Sequence, residues 1–260
     1  VMEKYFGTFT ADSNWYWASA GKTATAFLVG IAQQEGLLNI NNKTSQYLGT
    51  GWTSLPLAKE NLITVRHQLT MTTGLDDGVP DVDCTLPSCM IYKADAGTRW
   101  AYHNAPYTIL DKVVETASGQ SYNAYFQVKI KDKIGMNGLW VPSGYNNVYY
   151  STARSMARFG LLMLNKGKWN TTSVLSDSNY FNAQVSSSQT LNNSYGYLTW
   201  LNGKSSHMLP GTQFIFNGKL ILNAPDDMYA ALGKNDQKMY VVPSQKLVVI
   251  RTVNEAGNAQ

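Results

Sequence analysis

Residues 17–35 read Trp-Ala-Ser-Ala-Gly-Lys followed by Thr-Ala-Thr-Ala-Phe-Leu-Val-Gly-Ile-Ala-Gln-Gln-Glu, and no other stretch limits the fold so narrowly. From Ser19 onward, Ala26, Phe27, Leu28, Val29 and Ile31 suit a helix buried inside a domain. Ser19 stands where an N-cap or first-turn residue belongs, and Gly36 is a natural helix stop. On such a helix Ser19 and Lys22 are one turn apart and share a face. A serine hydroxyl is a poor nucleophile until a base takes its proton, and a lysine among apolar neighbours loses charge easily enough to be that base. Taken alone, the same four residues also read as a capping serine beside a solvated lysine, so the rest of the chain has to decide.

At 260 residues the chain has room for one or two domains with an ample core, and 44% hydrophobic with 15% charged residues excludes disorder. The net charge of +4 is spread without a run of like charges, so neither a nucleic-acid arm nor a membrane arm is indicated. No apolar run approaches the ~20 residues of a membrane span, and no charged-then-apolar leader is present. The chain is expected to be soluble and internal, or to have lost a leader.

Cys84 and Cys89 bracket Thr-Leu-Pro-Ser in a segment rich in turn residues. A disulfide closing this loop is the preferred reading and implies an oxidising compartment, secreted or periplasmic; two free thiols are the alternative. Zinc is not supported, because His67, His103 and His207 do not stand at ligand spacing, and no metal or cofactor is expected. The triplets beginning at Asn42, Asn170 and Asn192 fit the glycosylation pattern but carry no argument.

Along the chain, residues 1–7 read as a strand ending at Gly7, and residues 44–48 as a short helix. Residues 63–75, Ile-Thr-Val-Arg-His-Gln-Leu-Thr-Met-Thr-Thr-Gly-Leu, read as a helix capped by Thr64 and ended by Gly74. As a string, this run resembles the "ITVRHLLTMTSGL" block of the serine β-lactamase and penicillin-binding protein superfamily, in its class C and esterase branch. Residues 96–107, Ala-Gly-Thr-Arg-Trp-Ala-Tyr-His-Asn-Ala-Pro-Tyr, resemble its "PGTxFxYSN" block, whose Tyr-x-Asn is the second catalytic element. That resemblance makes Tyr102 a proton relay, its phenol lowered in pKa by the neighbouring ammonium, and Asn104 the amide that holds lysine and substrate. His103 is taken as a spacer. Residues 134–136 are similar to the family's "LGM" and residues 149–167 to its "STARDMARFGLLLLNGG" helix, with Met156, Phe159, Leu162 and Met163 packing inward.

The third catalytic element departs from the pattern. Where the family carries Lys-Thr-Gly on the strand lining the site, the matching register here is Ala231-Leu232-Gly233. Gly233 would allow close backbone approach, and the Lys234 amide would join that of Ser19 as an oxyanion hole. Two apolar runs, residues 238–243 and 245–253, read as a hairpin at the sheet edge and look closest to the branch containing 6-aminohexanoate-dimer hydrolases and related esterases. The missing cation points away from substrates whose carboxylate it would bind, and so toward esters or amides.

The resemblance implies an α/β (α+β) fold: one β-lactamase/D,D-peptidase-like domain over residues 1–260. An antiparallel sheet flanked by helices is expected from about residues 1–35 and 195–260, its strands coming from both chain ends, with a mostly helical region over about 36–194. Family members usually begin with a further strand and close with a helix. Here residues 1–7 and a polar 254–260 tail take those places, so either more residues exist or association covers the edge. The implied function is a serine hydrolase that forms an acyl-enzyme with a small-molecule ester or amide. A β-lactamase or D,D-peptidase and a catalytically silent binding protein on the same scaffold are the alternatives. Trp15, Tyr16, Trp17, Trp100, Tyr107, Trp140 and Tyr145 are candidates to wall an acyl pocket, none singled out, and the oligomeric state stays open.

Overall fold

A computed structural model describes residues 1–253. Helix α1, Gly21–Gln34, runs through the centre, with every residue from Gly21 to Ala32 buried. A helix apolar on all sides must be surrounded by other elements, and the chain supplies them from both directions. The remaining helices used below are α2 (Val65–Leu69), α3 (Asn104–Thr108), α4 (Leu110–Ser118), α5 (Tyr122–Phe126), α6 (Ala153–Leu164) and α7 (Ser178–Gln184).

Strands β1 (Asn14–Tyr16), β2 (Leu139–Ser143) and β3 (Asn146–Thr152) form a three-stranded antiparallel sheet in the order β1-β3-β2. Strands β4 (Trp200–Leu201), β5 (Tyr229–Gly233), β6 (Gln237–Val242) and β7 (Leu247–Arg251) form a four-stranded antiparallel sheet in the order β7-β6-β5-β4. The β6–β7 hairpin at the sheet edge agrees with the expected apolar runs, turned by Pro243–Gln245 with Lys246 in the left-handed region. Helix α6 packs on β6 and β7, and α1 on β5, α4 and α7. Phe27 of α1 and Phe159 of α6 meet edge to face at 5.6 Å, and Trp17 lies 6.0 Å from Phe159, so the two helices share one core. Two glycines let the elements close up. A Cβ on Gly160 would sit 2.5 Å from Val248, and one on Gly30 would enter the Tyr180 ring at 2.4 Å.

Helices against antiparallel sheets confirm the expected fold class, but several details differ. Residues 1–7 form no strand, and β1 begins only at Asn14. Val1, Met2 and Phe6 are exposed, so the apolar positions of that segment find no core to bury against. The four-stranded sheet draws on residues 200–251 alone. The N-terminal strand instead joins β3, pairing Trp15 with Ser151. The region 36–194 carries most helices and also β2 and β3. Helix α2 is capped by Thr64 as expected, with His67 Nδ1 accepting from the Thr64 amide in return, but it ends at Leu69 rather than near Gly74. Gly74 serves a different end: at φ +77° it passes the Ala94 carbonyl so closely that a Cβ would lie 2.2 Å away. Gly119 and Gly135 do end helical segments in the left-handed conformation, and Thr152 caps α6. Met156, Phe159, Leu162 and Met163 are all buried. The 254–260 tail lies outside the described residues.

Candidate active site

Ser19 occupies the middle of a tight 3-10 turn, Ala18–Ala20, that runs directly into α1. It does not cap the helix; Ala20 holds that position, and no side chain closes the terminus. Ala18 enters the turn at φ +47°, a conformation a side chain adopts only under strain, and such strain collects at functional positions. The Ser19 hydroxyl is thereby left to Lys22, whose Nζ lies 3.0 Å from Ser19 Oγ.

Lys22 is 4% exposed. Burial lowers its pKa to about 7, against the opposing pull of the Asp83 carboxylate. Two aromatic faces line it: the Tyr107 ring centroid at 4.3 Å and the Tyr102 ring centroid at 5.1 Å. An ammonium in that setting is close to neutrality at physiological pH, and the free amine is a base already in contact with a hydroxyl.

Tyr102 faces the same hydroxyl. Its ring stacks on Trp200 at 5.8 Å and touches Trp100 and Tyr195, which fixes the phenol from behind. Its pKa is pushed up to about 12 by burial, opposite to the expected lowering. Desolvation outweighs any help from a neighbouring lysine that is itself half-neutral, so the phenol stays protonated. His103, 2% exposed, has no hydrogen-bond partner on either ring nitrogen, and burial draws its pKa down to about 4. It is therefore a neutral ring at physiological pH, in keeping with the reading as a spacer.

Asn104 opens α3, and its amide meets a different partner from the one expected. Nδ2 donates to Asp83 Oδ1 at 2.7 Å, while Oδ1 is buried without a partner. On the far side of the cleft, β5 ends at Gly233 against the Ser19 turn. A Cβ there would lie 2.4 Å from the Trp17 carbonyl and 3.1 Å from the Ala20 amide, so only glycine fits. Lys234 follows with an exposed side chain and opens the turn Lys234–Asp236, in which Asn235 and Asp236 both take positive φ. Asn235 Nδ2 donates to the Tyr16 hydroxyl at 2.8 Å, tying this turn to β1. Ala231 is buried and brings no charge to the cleft. Ser19, Lys22, Tyr102 and the Gly233 backbone thus converge, while Asn104 is turned to the loop that carries Asp83.

A family model described as Beta-lactamase matches residues 1–260. The chain belongs to the beta-lactamase family. An uncharacterized protein of Alkalihalophilus pseudofirmus is 21% identical over all of this chain and 82% of its own length. Penicillin-binding protein 4* of Bacillus subtilis is 26% identical over 46% of this chain and 29% of its own. Among solved structures, a candidate 6-aminohexanoate-dimer hydrolase from Bacillus anthracis aligns with TM-score 0.75 at 20% identity, covering 98% of this chain and 71% of that one. A penicillin-binding protein from Bacillus halodurans aligns with TM-score 0.70 at 17% identity, covering 96% and 84%. At these identities the structural likenesses bear on the fold alone. Within the beta-lactamase family frame, the disulfide between Cys84 and Cys89 is formed, and it closes the loop that begins beside Asp83. Among the described residues no group of His, Cys, Asp and Glu could hold a metal ion, and no helix is long and apolar enough to cross a membrane.

Asp83 is the site neighbour that sequence reading missed, and Tyr107, read only as one of several candidate pocket-wall aromatics, instead lies over Lys22. Asp83 was hidden among four acidic residues between 76 and 83, and only its place beside Cys84 sets it apart. Tyr107 sits five residues beyond Tyr102, and nothing but the helix start at Asn104 could have folded it back over Lys22.

Proposed function

We propose that the chain is a serine hydrolase that cleaves ester or amide bonds through an acyl-enzyme on Ser19. The observation that carries this reading is the 3.0 Å contact between Ser19 Oγ and a buried Lys22 whose pKa is lowered to about 7. The free Lys22 amine takes the Ser19 proton as Oγ bonds to the substrate carbonyl carbon. The carbonyl oxygen becomes an oxyanion, received by the Ser19 and Lys234 amides. The tetrahedral intermediate then expels its alcohol or amine, which leaves with a proton passed from the Lys22 ammonium through the Tyr102 hydroxyl. Because that phenol stays protonated, it hands one proton on as it receives another and does not act as a phenolate base. Water attacks the acyl carbon, Lys22 takes its proton, and the C–O bond to Ser19 breaks to release the acid and restore the hydroxyl.

Ester and amide substrates without a carboxylate fit best. In the register read from the sequence, Ala231 takes the place of the cation that would hold such a carboxylate through a charged hydrogen bond of about 1.5–3 kcal/mol. The Cys84–Cys89 disulfide supports an oxidising, secreted or periplasmic setting. A screen of p-nitrophenyl esters, anilides and a chromogenic cephalosporin against wild type and Ser19→Ala tests the reading. Ester or amide turnover that disappears in Ser19→Ala is expected. Faster turnover of the cephalosporin would move the assignment to β-lactam chemistry, and no turnover with an unlabelled Ser19 would make the scaffold a binding protein.

A further inference from the structure

We propose that Asp83 is a positioning residue of this site, held in place by the Cys84–Cys89 loop, fixing through Asn104 the start of the helix that carries Tyr107 over Lys22, and presenting its charge to that lysine. The inference rests on the hydrolase reading above and adds a residue that reading does not use.

Two bonds lock Asp83 to the start of α3. Asn104 Nδ2 donates to its Oδ1 at 2.7 Å, and the Ala105 amide donates to the Val82 carbonyl at 3.2 Å. The segment that makes these bonds has little else to hold it. Val82 and Leu86 are exposed, and the chain on either side runs through turns. What anchors it is covalent: Cys84 is buried and joined to Cys89, and the next residue, Met90, is fully buried against Ala105 and Ile109 in the smaller apolar cluster. The Met90 carbonyl also accepts from the Ser54 amide at 3.1 Å. The disulfide, which joins cysteines five residues apart, therefore ties the segment that carries the carboxylate to a fixed part of the core.

Nearest in sequence to Asp83 is the exposed Asp81, whose Oδ1 accepts from the Asp83 amide at 3.0 Å. Asp77 pairs with Arg99 at 2.6 Å and Asp76 with Lys93 at 3.5 Å, so neither is free to replace it. His103 is neutral, and Tyr102 and Tyr107, which flank Lys22, stay protonated. Across the cleft, the Asp83 carboxylate opposes the lowering that burial imposes on Lys22 of α1. A negative charge there favours the lysine's protonated form. It keeps Lys22 basic enough to take a proton from serine while burial pushes the other way.

The test compares wild type, Asp83→Asn, Asp83→Glu and Cys89→Ser. One readout is the rate of fluorophosphonate labelling of Ser19 against pH; the other is the Lys22 pKa, from competitive acetylation read by mass spectrometry. Asp83→Asn is expected to slow labelling on its plateau roughly tenfold or more and to move the acid limb and the Lys22 pKa down by about one unit. Asp83→Glu restores the charge and brings both values most of the way back. Cys89→Ser shifts both in the same direction as Asp83→Asn. A purely structural role for Asp83 would lower labelling equally at every pH and leave the Lys22 pKa unmoved, and that result overturns the proposal. If wild type is not labelled at all, the hydrolase reading fails, while the acetylation readout still decides whether Asp83 sets the Lys22 charge.

Discussion

Lys22 shows how one residue sets both chemistry and a stability cost. Its ammonium is taken out of water with no carboxylate in direct contact, and its pKa falls from an ordinary 10.5 to about 7. The unfolded chain therefore binds a proton that the folded chain gives up, so this residue's cost is greatest below pH 7 and fades as pH rises toward 10.5. Replacing Lys22 with Met is expected to raise stability near neutral pH by about 2–4 kcal/mol, measured by chemical denaturation, and to abolish Ser19 acylation. Ala18 carries a smaller strain. Ala18→Gly removes the penalty of a side chain at φ +47° and is expected to stabilise by about 1 kcal/mol without reducing labelling of Ser19. The closeness of Ser19 to Lys22 was legible in the sequence because the two stand three residues apart at the head of a buried helix, and the 3-10 turn that holds Ser19 keeps them on one side. The Tyr102 pKa was not, because its direction depends on Trp100, Tyr195 and Trp200 closing over the ring from distant segments.

At the scale of elements, the site is a junction of three backbone pieces: the Ser19 turn, the Tyr102–Asn104 segment entering α3, and the end of β5. Gly233 is where two of them touch. Gly233→Ala would force β5 away from the Trp17 carbonyl, and is expected to cost about 1–3 kcal/mol in thermal denaturation and to lower acylation sharply. Gly30→Ala makes a cleaner test of packing against propensity. Alanine gains about 1 kcal/mol in a helix interior, yet its Cβ would enter the Tyr180 ring, whose hydroxyl donates to the Ala26 carbonyl at 2.7 Å. The substitution is expected to destabilise despite its better helix propensity, as measured by the denaturation midpoint. A helix start was readable where a cap marks it, as at Thr64; at Thr152 the cap went unread, and residues 149–152, taken with the helix that follows, lie in β3. The end of α2 was not readable either. Gly74 signals a left-handed residue, and the same conformation serves a close backbone crossing as well as a helix stop.

For the molecule as a whole, the sheets and helices converge on the aromatic contact of Trp17, Phe27 and Phe159 behind the Ser19 turn. Phe159→Ala is expected to cost about 3–5 kcal/mol and to lower Ser19 labelling with it, since α6 is the element that backs both α1 and the β6–β7 hairpin. The fold class followed from ordered blocks spread over most of the chain. Strand partnership did not, because a three-residue strand such as β1 carries no periodicity that would assign it to β3 rather than to the larger sheet. Asp83 was unreadable for a related reason: its partner Asn104 is 21 residues away, and the two meet where the segment leading into the Cys84–Cys89 loop bonds to the start of α3. The most direct measurement is the pH dependence of fluorophosphonate labelling, with the modified peptide identified by mass spectrometry. The account predicts one label, on Ser19, formed at a rate that falls as pH drops below about 7 with protonation of Lys22. An unlabelled Ser19, or a labelling rate indifferent to pH across that range, would contradict it.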